Sequence, residues 1–142
     1  MRGVRGAITA RENSKNEIIK VTKNLLSRMI ETNQINKKEI VSIIFTATDD
    51  LDREYPAVAA RKLGYEEVPL MCYQELNINN SLKKCIRTMV YINRNCSLEN
   101  INHVYLKKAK NLRNDLGALE WSEIAPSIGD KKAITTIAAV WV

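Results

Sequence analysis

Several kinds of chemistry are missing from this sequence before any motif is sought. It holds one histidine, His103, so a histidine-rich metal site has no ligands to draw on and a Ser-His-Asp triad has a single candidate base. His103 is expected in a strand, facing solvent or a neighbour. The three cysteines, Cys72, Cys85 and Cys96, are odd in number and lack CxxC spacing. They are expected to be free thiols in a reducing cytoplasm. Cys72 has no basic partner in the sequence, and a buried cysteine behaves as a small apolar residue. Gly3-Val4-Arg5-Gly6 lacks the strand–GxGxxG–helix layout of a dinucleotide site. Asp49-Asp50-Asp52-Glu54 is better explained as a solvated acidic turn than as a cation site. The longest apolar run, Ala133 to Val142, is too short to span a bilayer, and the N-terminus enters a strand-like run with no apolar leader. No metal, cofactor or membrane association is expected.

What is present is ordinary for a soluble domain: 142 residues, 45% apolar and 27% charged, enough to bury a core without disulfides. The net charge of +6 suits either a nucleic-acid surface or a field that draws in a small anion. The lysines are scattered through helices and turns without an aromatic-interleaved basic stripe, which argues against nucleic acid.

Gly3 to Thr9 reads as a first strand carrying Arg5. Ser14 opens a helix, with Glu17 as the other half of a capping box. Ile18, Ile19, Thr22, Leu25, Leu26, Met29 and Ile30 form one apolar stripe along it. After a polar connection at Asn33 to Lys38, Ile40 to Thr46 is a nearly continuous β-branched run, the mark of a strand covered on both faces. Thr48-Asp49-Asp50 is a turn. Pro56 suits the start of a short helix through Lys62, capped at Gly64, with Arg61 in its last turn. Val68 to Tyr73 and Cys85 to Asn93 read as strands, the second with Arg87, Met89 and Tyr91 on one face. Ser97 to Ile101 is a helical turn and His103 to Leu106 a last short strand. The order β-α-β-α-β-β-β points to a mixed α/β sheet with helices on one side.

The segment Met71-Cys72-Tyr73-Gln74-Glu75-Leu76 and the following Leu82-Lys83-Lys84-Cys85-Ile86-Arg87 put an acid and an arginine near the ends of two strands. Arg5, Arg61, Tyr105 and Arg113 add cationic and phenolic groups at other element ends. The set points to a site for a small molecule with more than one negative charge, and contains no nucleophile paired with a base.

Five segments then resemble a known family in order and spacing: Arg2-Gly3-Val4-Arg5-Gly6-Ala7, Tyr55-Pro56-Ala57-Val58-Ala59-Ala60-Arg61, Cys72-Tyr73-Gln74-Glu75, Leu82-Lys83-Lys84-Cys85-Ile86-Arg87, and His103-Val104-Tyr105-Leu106 with Leu112-Arg113. They are similar to the monofunctional chorismate mutases of the trimeric α/β kind, over residues 1 to 116. The resemblance implies a ferredoxin-like α+β subunit, three of which form a pseudo-α/β barrel with sites at subunit interfaces. It implies chorismate as the dianionic substrate and prephenate as product, in aromatic amino-acid biosynthesis. Arg87 and Glu75 would be catalytic. Arg5 and Tyr105 would grip a carboxylate, and Cys72 would lie near Glu75. Tyr55, Ala57 and Arg61 would form a wall from the adjacent subunit, with Leu112 and Arg113 closing the mouth. Tyr55 stands where the family commonly carries phenylalanine. Residues 117–142, with Trp121 and Trp141, form an extension to which the resemblance gives no role. The alternative is a non-catalytic trimer of the same architecture that binds a small anion for regulation.

Overall fold

A computed structural model describes residues 1–116, with side chains through Leu112; the extension at 117–142 lies outside the described residues. The elements are β1 (Arg2–Thr9), α1 (Lys15–Thr32), β2 (Ile40–Ala47), α2 (Ala57–Lys62), β3 (Leu70–Gln74), β4 (Cys85–Ile92) and β5 (Val104–Tyr105). Short 3-10 turns at Lys37–Glu39 and Leu98–Asn100, and a longer 3-10 segment at Lys107–Leu116, connect or follow them.

The apolar stripe of α1 is buried where its 3.6-residue period places it: Ile18, Leu25, Leu26 and Met29 are fully covered. Its N-terminus differs from expectation. Ser14 Oγ accepts from the Glu17 N–H at 3.2 Å, but the Glu17 carboxylate reaches past Ser14 to the Arg11 N–H at 3.1 Å. That bond is the main cause of a Glu17 pKa below the usual carboxylate range. The full capping box sits at Asn36 and Glu39, where the expected polar connection leads into β2.

The sheet order is β3-β2-β4-β1-β5. β4 lies antiparallel to both β1 and β2, while β3 is parallel to β2 and β5 parallel to β1. The sheet is therefore mixed, and the fold is α+β. Both helices pack into one core with Val4, Ile8, Ile43, Phe45, Ile86 and Val90. Gly6 permits the closest approach: a Cβ there would lie 2.3 Å from Met29 Sδ.

The expected double coverage of β2 is not found in the chain. Ile43 and Phe45 are buried, whereas Ile44 and Thr46 on the opposite face are only partly covered. The reason is architectural, because both helices lie against the face that Ile43 and Phe45 line. The opposite face carries Arg5, Arg87, Met89 and Tyr105, with Met71 and Tyr73 53% and 49% exposed. The site is built there.

Candidate active site

Register assembles this face. Arg87 in β4 stands opposite Ala7 of β1 and Thr46 of β2, while Met89 stands opposite Arg5 and Ile44. Tyr105 of β5 lies beside Ala7. Residues directly opposite one another across a ladder share a face, so these side chains converge on one open cavity of about 220 Å³. Arg5, Ile44, Thr46, Arg87, Met89 and Tyr105 line it.

Glu75 enters from the edge. Its N–H donates to the Ala47 carbonyl at 3.0 Å, which extends the β2–β3 pairing one residue past the strand. Its Oε1 accepts from Thr46 Oγ1 at 2.6 Å and lies 2.9 Å from Arg87 Nε. The Arg87 N–H is not aimed along that line, so the contact is an ion pair rather than an aligned hydrogen bond. Two guanidinium groups and one carboxylate leave the site net cationic, and a phenol adds a donor. That composition fits an anion with more than one carboxylate. Cys85, covered on the Arg87 face of β4, is no nucleophile: burial pushes its thiol up to about 11, against a smaller downward pull from Arg87.

The remaining predicted residues divide into two groups. Leu112 packs with Ala7, Cys85 and Ala109, in a cluster that also holds Tyr105 and Leu82, and is not among the residues that line the cavity. Arg113 lies in the 3-10 segment, its side chain outside the described residues. Tyr55 and Cys72, by contrast, line a second cleft of about 360 Å³ with Asp52, Pro56 and Gln74. Ala57 is buried beside it and Arg61 is exposed on α2. Cys72 is opposite Phe45 and so on the helix side of the sheet, away from Glu75. The expected neighbourhood of Cys72 and Glu75 is therefore not formed within one chain. Burial raises the Cys72 pKa, partly offset by the Ala57 N–H and the Arg61 charge.

The model of the family described as chorismate mutase type I matches residues 1–116. This chain belongs to that family. It is 39% identical over 125 residues to chorismate mutase AroH of Bacillus subtilis, covering 87% of this chain and 98% of that protein. The corresponding protein of Thermus thermophilus is 40% identical over 117 residues, covering 82% and 96%. A solved chorismate mutase from Clostridium thermocellum superposes with a TM-score of 0.77 at 43% identity, covering 78% of this chain and 99% of that one.

In this chorismate mutase family member, three groups carry more than the sequence reading gave them. Thr46 holds Glu75, and period-2 reading of β2 would have placed it on the Arg87 face beside Ile44. Asp50, assigned to a solvated turn, accepts from the Lys84 N–H at 2.9 and 3.1 Å and from the Thr48 hydroxyl. Thr48 Oγ1 in turn accepts from the Cys85 N–H at 3.0 Å, so this turn sets the start of β4 two residues before Arg87. No cluster of potential metal ligands occurs among the described residues. His103 is buried and faces a neighbour, its Nδ1 accepting from the Arg5 N–H at 3.0 Å.

Proposed function

We propose that this protein converts chorismate to prephenate by a Claisen rearrangement within one molecule, in aromatic amino-acid biosynthesis. One carbon–oxygen bond breaks as a carbon–carbon bond forms, and no proton moves. The work left to the protein is to hold the dianion in its compact diaxial shape and stabilise charge as it separates. The observation that carries this reading is the Glu75–Arg87 pair facing a cavity that also holds Arg5 and Tyr105.

Arg87 directs its guanidinium to the ether oxygen, where negative charge grows. Arg5 and Tyr105 grip the enolpyruvyl carboxylate. Glu75 accepts from the ring hydroxyl and steadies positive charge developing on the ring. Leu112 and Arg113 close the mouth.

The complete site belongs to a homotrimer of ferredoxin-like subunits arranged as a pseudo-α/β barrel. Cys72, Tyr55, Ala57 and Arg61 are supplied by the neighbouring subunit. The support is that Tyr55 and Cys72 line a separate cleft of the same chain, with Ala57 and Arg61 on the α2 helix that follows Pro56, while the cavity face leaves large apolar side chains exposed, as an unoccupied subunit interface does. Residues 1–116 are the catalytic unit and 117–142 an extension. The enzyme works in the cytoplasm, in keeping with its unpaired cysteines; no helix among the described residues is long and apolar enough to cross a membrane.

The test is purified protein with chorismate, followed by the substrate's ultraviolet absorbance. Loss of absorbance with prephenate as the product is expected. Unchanged absorbance with a correctly folded protein would leave a small-anion-binding role in its place.

A further inference from the structure

The edge strand that brings Tyr105 to the site is only two residues long. Val104 pairs with Gly6 and Tyr105 with Ala7, and beyond them the Leu106 N–H donates to the Ala7 carbonyl at 2.9 Å. So short an edge has little ladder of its own to fix its register. Upstream, Asn33 at the C-cap of α1 takes both backbone polar groups of Asn102: Asn33 Nδ2 donates to the Asn102 carbonyl at 2.8 Å, and Asn33 Oδ1 accepts from the Asn102 N–H at 2.8 Å. Between these two fastenings lies His103. Its Nδ1 accepts from the Arg5 N–H at 3.0 Å, so an imidazole nitrogen takes the place that a strand carbonyl has in a longer ladder.

We propose that His103 is a positioning residue for anion binding: by accepting the Arg5 backbone N–H it fixes Arg5 and Tyr105 relative to one another at the cavity. The proposal rests on the assignment of those two side chains to the substrate carboxylate.

The chemistry of the position suits a neutral ring. His103 is 6% exposed, and burial, with the charge of Arg5, lowers its pKa to about 4. The imidazole is therefore neutral at neutral pH, and a neutral ring that accepts at Nδ1 carries its proton on Nε2. An apolar residue there would leave the Arg5 N–H without that acceptor in a largely covered place, and a partly buried unpaired N–H is costly. The cheapest relief is for β5 to shift, and Tyr105 moves with β5. Because the carboxylate is gripped both before and during the rearrangement, loosening the grip weakens binding more than it slows the chemical step.

The experiment compares His103→Asn with His103→Gln. Asparagine places an amide oxygen about where Nδ1 stands; glutamine is similarly polar but carries its amide one bond further out. His103→Asn is expected to keep near-normal kinetics, and His103→Gln to raise KM for chorismate about fivefold, the worth of one hydrogen bond, with kcat within about twofold. In a Tyr105→Phe background the difference between Asn and Gln should largely vanish, since the bond to the Arg5 backbone N–H acts on the carboxylate through the position of Tyr105. Equal KM values for the two folded variants, or a full fivefold difference surviving in Tyr105→Phe, would overturn the proposal. Hydrogen exchange of the Arg5 amide reads the same bond without substrate. It should be slow in wild type and His103→Asn and faster in His103→Gln. Equal exchange in all three overturns the proposal whatever the activity, whereas absent turnover in wild type counts against the chorismate reading alone.

Discussion

Arg87 lies on a central strand with Ala7 on one side and Thr46 on the other, so its guanidinium is held more firmly than one on a loop. In the proposed mechanism it meets an oxygen that is nearly neutral in bound chorismate and partly anionic at the transition state. An interaction that strengthens along the reaction shows in turnover rather than in binding. Arg87→Ala should therefore lower kcat about a hundred- to thousandfold, the usual effect of removing one preorganised donor, or about 3–4 kcal/mol. Arg87→Lys should recover only part, because one ammonium cannot reach the ether oxygen and a carboxylate together. Steady-state kinetics on proteins checked by circular dichroism decides this, and near-normal turnover by folded Arg87→Ala removes the residue from the mechanism. The thiols of Cys72 and Cys85 both have raised pKa values, and no assigned site residue is a histidine. The rate should accordingly stay level from about pH 6 to about pH 8; a bell with both limbs near neutrality would signal an essential acid and base.

At the scale of the elements, local signals were read well where they concern one face of one segment. The α1 stripe and the alternation in β4 follow from period alone, since each element buries a single face. The second face of β2 was misread because an apolar run states that a face is apolar, not which molecule covers it. Glu17 and Asp50 were misplaced for another reason: their partners, Arg11 and Lys84, are joined to them by folding rather than by motif spacing. The site shows the same division, with Arg87 and Glu75 visible as strand-end charges while Cys72 fell on the opposite face from Glu75.

Two elements carry their own tests. Glu39, at the start of β2, holds Arg94 beyond β4 through a fork: Nε to Oε1 at 2.9 Å and a terminal nitrogen to Oε2 at 2.8 Å. Arg94 also donates to the Asn33 carbonyl at 2.8 Å. The Arg94 hydrogen bonds, then the Asn36 N–H, lower the Glu39 pKa from 4.5 to about 2. A depressed folded pKa means stability present above 4.5 and lost as pH falls towards 2. Between those limits the melting temperature of wild type should drop more steeply than that of Glu39→Gln; parallel curves would refute the clamp. Gly6→Ala should destabilise by about 1–3 kcal/mol in denaturant unfolding, as overpacking does, because its Cβ would press on Met29 and Leu25. An unchanged midpoint would mean that α1 can withdraw without cost.

On the scale of the whole molecule, one chain holds the proposed site residues in two groups that do not meet. Arg5, Glu75, Arg87 and Tyr105 gather at one cavity, and Tyr55 and Cys72 at another cleft. In a closed ring each cavity can be completed by the next subunit's cleft, and the uncovered sheet face supplies the surface to join them. This account stands most directly on a complementation experiment. Subunits inactivated by Arg87→Ala are co-refolded with an equal amount of subunits carrying Tyr55→Gly and Arg61→Ala, and trimers are verified by light scattering. If each site draws one half from each of two neighbours, random mixing leaves about a quarter of the sites intact, and chorismate turnover should return to about that fraction of wild type. Verified mixed trimers that regain no activity would contradict the shared site.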